Sequence, residues 1–507
     1  MTDSNIGARR KKGCRNHIWI INNINYEHSR SVKLAQLVLQ SWDFSQMFDS
    51  MVLDTTISDL YDHGADDDLL VLLDQLNRDI SMSVNTFYGS TEKVLIPRLV
   101  AQGDLMAPLM AAVQVDSISR RLQEEDRERE EEGRETLLYR YKGIVPIPSL
   151  GLMDDSAMLT EVGYKSEIVN VSMNENSAEK SLQFNERKCK YLKIGKNKDT
   201  VISQTLEVDT WKRSYDKDDN LIEEEGGKKS MTEVKELKYL GFIIASSASN
   251  VPNILDRKKK LTSTPNTIMK MTTGLGSHTL EASLIYFNSL LRASLLYACE
   301  AYVNLNEKEY RLIESTEENC LLKFLDSGSQ CPRSILYLEL GQIPARFQIK
   351  KLMLNYLQYL LQEDENTLMS KFFIAQCQNP IKNYWVYNIH SVKNEIDLDL
   401  TFEEIRKMKI QQYQNIVDSK IKIAAFVYLK SKIKSKGKEI IYGDQLTCQN
   451  YLLPNTILTF KEQKSIFSFR SRSNKLTYNY PGNKENKLCE CGVDITNEHL
   501  YNCLMLN

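Results

Sequence analysis

Residues 149–158 constrain this chain more than any other stretch, because two adjacent carboxylates interrupt an apolar run there. Apolar residues fill positions 144–148 and resume at Met158, after Asp154 and Asp155. A run that breaks into a polar pair and then resumes predicts a strand, a tight turn and a second strand. Two carboxylates in one turn repel each other unless a cation neutralises them, and Mg²⁺ binds through one or two carboxylates plus substrate phosphates. The pattern predicts a cation-binding hairpin.

Adjacent aspartates are weak evidence by themselves, since the chain contains two further runs of them. Residues 66–68 and 218–219 are also consecutive aspartates. We expect both of these runs to lie in solvated loops or to cap helices. The interpretation of Asp154 and Asp155 as a cation site depends on the segments that precede them.

The segment that ends at Asp43 is a second candidate for presenting a carboxylate. Residues 37–42 predict a strand, and a helical period resumes near Phe48 and continues to Leu60. A carboxylate at the end of a buried strand can serve as a metal ligand. The alternative is that Asp43 or Asp49 caps the helix that follows.

The region before the hairpin predicts a close backbone approach and a long helix. Gln102-Gly103 allows the backbone to come near a ligand, and Pro108 suits the first turn of a helix. That helix continues into residues 120–134, where opposite charges alternate at helical spacing and predict a solvated helix end without chemistry. A strand over residues 137–141 then leads to the hairpin.

Composition favours an intracellular protein of several domains. The chain has 507 residues, a net charge of −2 and ten cysteines without a secreted-domain spacing, and no stretch suggests a signal peptide or a membrane span. Because the net charge is slightly negative, a nucleic-acid surface would have to come from local segregation of basic residues.

Basic residues do segregate in the second half, which we expect to be almost wholly helical from residue 253. Residues 257–260 are four consecutive cations. Seven lysines also fall among apolar residues, at positions Lys420, Lys422, Lys430, Lys432, Lys434, Lys436 and Lys438. Both segments are candidate nucleic-acid surfaces, and the plainer alternative is a solvated helix face.

The tail carries four residues that could hold zinc: Cys489, Cys491, His499 and Cys503. Three cysteines and one histidine suffice for a tetrahedral structural site. The Cys-x-Cys spacing is tighter than usual, and the alternative is reduced free thiols on a frayed tail.

Five segments, in order along the chain, resemble motifs A to E of the reverse transcriptase palm: residues 43–49, 102–109, 152–155, 184–190 and 237–242. Residues 7–23 are similar to the helix between fingers and palm in non-LTR (LINE-type) retrotransposon enzymes, whose Cys-Cys-His-Cys knuckle the tail also resembles. Leu152 and Met47 depart from the family, which usually has an aromatic and a small residue there, but both remain apolar.

The resemblance implies a role for each site residue. Asp43 and Asp154 would be the main ligands of two Mg²⁺ ions, with Asp155 an accessory third. Phe48 would screen the sugar 2′ position and so favour dNTPs. The other implied assignments are Phe44, Gln102 and Gly103 in the nucleotide pocket, Lys188 near the leaving pyrophosphate, and Tyr239, Leu240 and Gly241 in the hairpin that grips the primer.

The fold implied by the resemblance is an α/β right-hand polymerase palm, a mixed βαββαβ sheet with helices on one face, followed by helical regions. The expected divisions are residues 1–35 for a fingers remnant, 36–248 for the palm, 249–330 for a helical thumb, 331–480 for a helical basic region and 481–507 for the zinc knuckle.

The implied function is RNA-directed DNA synthesis with Mg²⁺, and with Zn²⁺ as a structural metal. The expected partners are an RNA template, a DNA primer or target, dNTPs and the element's own RNA in a ribonucleoprotein, in cytoplasm and nucleus. The early fingers strands and an endonuclease domain have no counterpart in the sequence, so we expect an N-terminally truncated member.

Two other functions stay open. One is a catalytically inactive or co-opted retroelement protein that binds nucleic acid without polymerising, which the absent fingers favour and the intact aspartates oppose. The other is a template-independent or DNA-dependent polymerase on a similar palm, which the Gln-Gly and Leu-Gly segments make less favoured.

Overall fold

The computed structural model describes residues 2, 5–6, 12–95, 106–196, 205–215, 221–274, 279–325, 327, 331–378, 380–434, 445–453, 456 and 458–471. The chain forms two compact units. The first comprises residues 1–252, 301–303 and 363–386, and the second comprises residues 253–300, 304–362 and 387–507.

The described strands all fall in the first unit: β1 Leu37–Asp43, β2 Ser81–Met82, β3 Asn85–Thr86, β4 Gly89–Ser90, β5 Val94–Leu95, β6 Arg140–Tyr141, β7 Val145–Pro146, β8 Leu150–Leu152, β9 Asp155–Glu161, β10 Lys190–Ile194, β11 Glu207–Tyr215, β12 Leu221–Ser230, β13 Thr232–Glu233, β14 Glu236–Tyr239 and β15 Phe242–Ala245.

The described α-helices are α1 Cys14–His28, α2 Met47–Ser50, α3 Leu53–Asp62, α4 Asp67–Asn77, α5 Ala107–Glu131, α6 Tyr164–Glu179, α7 Val251–Leu261, α8 Thr264–Gly274, α9 Leu280–Tyr286, α10 Ala293–Leu295, α11 Glu307–Phe324, α12 Arg333–Leu340, α13 Ala345–Gln362, α14 Leu368–Gln378, α15 Trp385–Glu395, α16 Phe402–Lys407, α17 Ile410–Lys434 and α18 Phe460–Arg470. None of these described helices combines the length and apolar character needed to cross a bilayer.

A five-stranded mixed sheet organises the first unit, with the strand order β13-β10-β1-β9-β8. Strand β1 pairs antiparallel with β9 and β10, β8 pairs antiparallel with β9, and β13 joins β10 in parallel. Read along the chain, β1, α5, β8, β9, α6 and β10 give the order βαββαβ. The chain is therefore a mixed α/β protein with a small mixed sheet, as the sequence predicts at that level.

Strand β1 is the middle strand of the sheet, and both of its faces are covered. Residues 37–42 are buried without interruption, and the exposure rises only at Asp43. Burial of every residue in turn is typical of a strand covered on both sides, and here it includes the polar Gln40 and Ser41. Val38 and Trp42, which share one face, belong to the core cluster that α5 and α6 also supply. The predicted strand up to Asp43 is confirmed.

Helix α5 packs closely on the hairpin strand β8, and Gly151 makes this possible. A Cβ at Gly151 would lie 3.2 Å from Cγ1 of Val115 in α5. The prediction that Pro108 lies in the first turn of this helix is confirmed, since α5 begins at Ala107. Asp66, one of the aspartates expected to cap a helix, accepts a hydrogen bond from the Asp68 N–H at the start of α4.

Two predictions for the first unit are wrong in part: the solvated helix end over residues 120–134 and the strand over residues 137–141. The burial of Asp126 explains both differences. Asp126, inside the tract predicted to be solvated, is buried, and its carboxylate accepts hydrogen bonds from the backbone N–H groups of Leu137 and Leu138 at 2.5 and 2.8 Å. Because these N–H groups bond to a side chain, residues 137–139 are not a strand, and β6 is limited to Arg140–Tyr141.

The first helix also differs from expectation. The helical spacing predicts a helix from residue 17 towards residue 40, whereas α1 begins at Cys14 and ends at His28. Residues 29–36 form an irregular connection to β1.

In its described part the second unit is helical, as expected. Two of its buried glutamates are paired with arginines: Arg292 Nε lies 2.8 Å from Glu317 Oε1, and Arg346 Nε lies 2.5 Å from Glu314 Oε1. A buried carboxylate needs such a partner because removing one member of a buried pair leaves an uncompensated charge.

Candidate active site

Asp43 and Asp155 are direct cross-strand partners at one end of the sheet. Asp43 is the last residue of β1 and Asp155 the first of β9, and the antiparallel register sets them opposite each other. Side chains at directly opposite positions project from the same face. Since neighbouring positions alternate, this face is the one opposite to the Trp42 side chain. Two carboxylates that are 112 positions apart in sequence are thus adjacent in the fold.

Asp154 joins them through the hairpin turn. Leu152 pairs with Asp155, so Met153 and Asp154 form a two-residue turn, with Met153 in a left-handed conformation at φ 52°. The Asp154 carbonyl accepts a hydrogen bond from the Phe44 N–H at 3.3 Å. This bond fixes the turn against the end of β1, beside Asp43.

Lys188 supplies a cation to this cluster. Its Nζ lies 3.0 Å from Oδ1 and 3.1 Å from Oδ2 of Asp43. The loop that carries Lys188 is held in place by the Asn185 N–H, which donates to the Asp43 carbonyl at 2.8 Å. The segment predicted as motif D therefore contacts the segment predicted as motif A.

The charges of the cluster are coupled. Burial and, after it, the neighbouring Asp154 and Asp43 charges raise the pKa of the Asp155 carboxyl to about 6, against the opposing effect of Lys188. Burial also raises the pKa of Asp43, against the hydrogen bond and charge of Lys188. The bond to Asp43 in turn raises the pKa of the Lys188 ammonium. The cluster thus carries more negative charge than its single ammonium neutralises.

The two phenylalanines assigned to substrate binding are both associated with the core. The Phe44 side chain is 3% exposed and stacks on Phe184, with ring centroids 4.6 Å apart. The Phe44 ring is thus part of the core, and its backbone N–H is engaged with the Asp154 carbonyl. Phe48 is half-buried and packs against the same core.

The predicted primer-grip residues form the turn of a hairpin between β14 and β15. Tyr239 pairs with Phe242, and the two turn residues are left-handed, Leu240 at φ 46° and Gly241 at φ 73°. Turns of this kind favour glycine because both central residues need positive φ.

This hairpin contacts the aspartate hairpin through Tyr239, whose hydroxyl donates to the Leu150 carbonyl in β8 at 2.8 Å. His17 Nδ1 lies 3.0 Å from the same hydroxyl. His17 was missed as a positioning residue because the two residues are 222 positions apart and nothing in the local spacing indicates the contact.

Several predicted residues lie outside the described part of the chain. They are Gln102, Gly103, Cys489, Cys491, His499 and Cys503. Among the residues that the structure does describe, no group of three or more His, Cys, Asp or Glu side chains is arranged to hold a metal ion.

In both segments predicted as basic surfaces, some of the basic side chains are buried or paired within the fold. Arg257 is buried and donates to the Ser294 carbonyl at 2.8 Å, and Lys260 pairs with Asp256 on its own helix. In α17, Lys420 pairs with Asp397 at 2.9 Å, and Lys430 lies over the Phe426 ring. Lys436 and Lys438 fall outside the described residues.

No known protein family matches the chain, and no curated protein matches it significantly in sequence. The resemblance to reverse transcriptases therefore stays a prediction.

Proposed function

We propose that this chain is an RNA-directed DNA polymerase of the non-LTR retrotransposon type, which adds dNTPs to a primer 3′-hydroxyl on an RNA template. The observation that carries the proposal is the juxtaposition of Asp43 and Asp155 across β1 and β9, with Asp154 in the turn beside them. The sheet that presents them has the βαββαβ order expected of a polymerase palm.

The carboxylates suit Mg²⁺ in their chemistry. All three offer hard oxygen ligands, and their mutual repulsion, which adds to burial in raising the pKa of Asp155, is the kind that a bound cation relieves. The described structure does not arrange these side chains as a metal site, but with the Lys188–Asp43 ion pair open, Asp43, Asp154 and Asp155 would hold two Mg²⁺ ions. When bound, such ions activate the attacking hydroxyl and stabilise charge on the leaving oxygens.

Lys188 would act on the same substrate from the side of Asp43. Its ammonium is protonated at neutral pH in any case, and the Asp43 carboxylate raises its pKa further. The side chain is well exposed, so Nζ can leave Asp43 and approach the oxygens of a leaving pyrophosphate. This ion pair would open as substrate and cations enter, and the protein's main contribution would be positioning and charge compensation.

The remaining assignments follow the same proposal. Phe48, next to the end of β1, would meet the sugar and disfavour ribonucleotides by steric exclusion. Tyr239, Leu240 and Gly241 would hold the primer strand against the aspartates, since the Tyr239 hydroxyl ties their hairpin to β8.

A second candidate is a nucleic-acid-binding protein that does not polymerise. The observation in its favour is the Lys188–Asp43 ion pair, which satisfies one of the three carboxylates without a metal. If that pair persisted in the presence of Mg²⁺ and dNTPs, the aspartates would be structural.

Primer extension tests the proposal. The full chain is incubated with an RNA template, an annealed DNA primer, dNTPs and Mg²⁺, alongside the double variant Asp154→Asn/Asp155→Asn. The matched control is Asp67→Asn/Asp68→Asn, which removes the same two charges from an exposed adjacent pair in the first turn of α4. We expect extension by wild type and control, none by the site variant, and equal RNA binding by all three.

Two results would contradict the polymerase. Binding of RNA without extension by wild type would support the second candidate. Loss of RNA binding in the site variant equal to its loss of extension would show that Asp154 and Asp155 are structural.

A further inference from the structure

The helical unit contains a pocket of about 350 Å³ with a basic lining. It lies among α7, α8, α11 and the start of α12, within one unit of the chain. Three cations line it, one from each of three helices: Lys258, Lys323 and Arg333. The described lining residues include no aspartate or glutamate.

The two lysines are held by neutral partners. Lys258 Nζ donates to Ser315 Oγ at 3.2 Å, and Lys323 Nζ donates to Asn266 Oδ1 at 3.4 Å. Among the described residues neither ammonium forms an ion pair, so both charges are available to an anion. This separates them from Arg257 and Lys260 in the same basic run, whose groups are engaged within the fold.

Arg333 lines the same pocket, and its guanidinium is only partly paired within the fold. Its Nε lies 3.4 Å from Glu318 Oε2, but its Nη1 is buried and has no hydrogen-bond partner in the described structure. A buried donor without a partner is unfavourable and rare. Burial raises the pKa of Glu318 to about 7, so this carboxyl neutralises the guanidinium only in part at neutral pH.

The rest of the lining suits a nucleoside. Leu261 and Leu322 are buried and give an apolar wall, while Thr262 and Asn319 add a hydroxyl and an amide. The volume is at the lower end of the range of small-molecule sites. Three cations exceed the single charge of an internal phosphodiester and match a terminal phosphate, which carries close to two negative charges at neutral pH.

We propose that this pocket binds the terminal phosphate of a nucleotide or of a nucleic-acid strand, with Lys258, Lys323 and Arg333 around the phosphate and the apolar wall against the adjoining nucleoside. The site is independent of the aspartate cluster, and it stands whether or not the chain polymerises.

The test compares 5′-phosphorylated with 5′-hydroxyl single-stranded DNA 12-mers, labelled at the 3′ end, by fluorescence anisotropy with the full chain. We expect the 5′-phosphate to tighten binding at least about tenfold, because charge-assisted bonds to phosphate are strong. The double variant Lys258→Met/Lys323→Met should abolish this preference. The matched control is Lys259→Met/Lys308→Met, which removes two exposed lysines from the same helices, α7 and α11, and should keep the preference.

A competition experiment on the wild-type chain separates the two sources of phosphate and does not depend on the variants folding. AMP displacing the phosphorylated 12-mer where adenosine does not would assign the site to a nucleotide phosphate. Displacement by an unlabelled phosphorylated 12-mer but not by AMP would assign it to a strand end.

Three results would overturn the proposal. They are the absence of any preference for the 5′-phosphate, displacement by adenosine as effective as that by AMP, and equal loss of the preference in the pocket and control variants.

Discussion

The Asp155 carboxyl has two acidic neighbours, Asp154 beside it in the chain and Asp43 opposite it in the sheet. Burial and these charges together raise its pKa to about 6. A folded-state pKa above the unfolded value of about 3.9 means that the folded chain binds the proton more tightly. Stability that depends on this group is therefore present below pH 4 and is lost as the pH rises through 6.

We expect Asp155→Asn to stabilise the protein at neutral pH. The variant should gain about 2 kcal/mol in free energy of unfolding at pH 7.5, and the gain should shrink towards zero near pH 4, where wild-type Asp155 is protonated. Urea denaturation at several pH values measures this difference. The exposed Asp62→Asn is the control for the loss of one surface carboxylate. Destabilisation of Asp155→Asn by the same amount at every pH would mean that the carboxylate makes favourable contacts in the fold.

At the residue scale, the sequence predicts the carboxylates better than their partners. Asp43 ends a strand-like segment and Asp154 interrupts an apolar run, and both are local signals. The ion pair between Lys188 and Asp43 joins positions 145 residues apart, and an exposed lysine in a polar loop gives no local sign of its partner. The burial of Phe44 depends on Phe184, so its core position could not be separated from a substrate contact by sequence.

At the scale of elements, a strand-like segment was sufficient to predict β1, and an apolar run interrupted by a turn was sufficient to predict the β8–β9 hairpin. The segment after α5 was not predictable in this way, because Leu137 and Leu138 have strand-like character but donate their N–H groups to Asp126. Arg140 Nη2 also lies 3.2 Å from Asp126 Oδ2. Within a run of alternating charges, nothing local marks the one carboxylate that becomes buried.

Asp126→Ala should destabilise the protein by about 3 kcal/mol, since it leaves two buried N–H groups and one arginine without their acceptor. Thermal or urea unfolding gives the loss, and hydrogen exchange should quicken at Leu137 and Leu138 in particular. Glu128→Ala, on the exposed side of the same helix, should change stability by less than about 0.5 kcal/mol. Equal effects of the two substitutions would show that the helix end is solvated throughout, as its sequence suggests.

At the scale of the whole molecule, the unit that contains the sheet is not one continuous segment. Residues 363–386 belong to it together with residues 1–252. Helix α14 from this distant segment contributes Phe372, which is fully buried between Trp19 of α1 and Tyr141 of β6, with ring centroids 5.2 and 4.2 Å away. Helical periodicity indicates α14 itself, but periodicity cannot tell which part of the chain its apolar face will cover.

Phe372→Ala should therefore weaken the unit that holds the aspartates, although it lies in a distant part of the sequence. Removing a fully buried phenylalanine costs about 3–5 kcal/mol through lost burial and the cavity left behind. We expect a loss of this size in chemical denaturation followed by tryptophan fluorescence, because Trp19 and Trp385 pack edge to face at 5.3 Å in the same cluster. Phe87→Ala, at a ring that is 98% exposed, is the matched control and should have almost no effect. A full-length Phe372→Ala variant as stable as that control would mean that residues 1–252 hold their fold without α14, and that the sheet unit is the continuous domain that the sequence predicts.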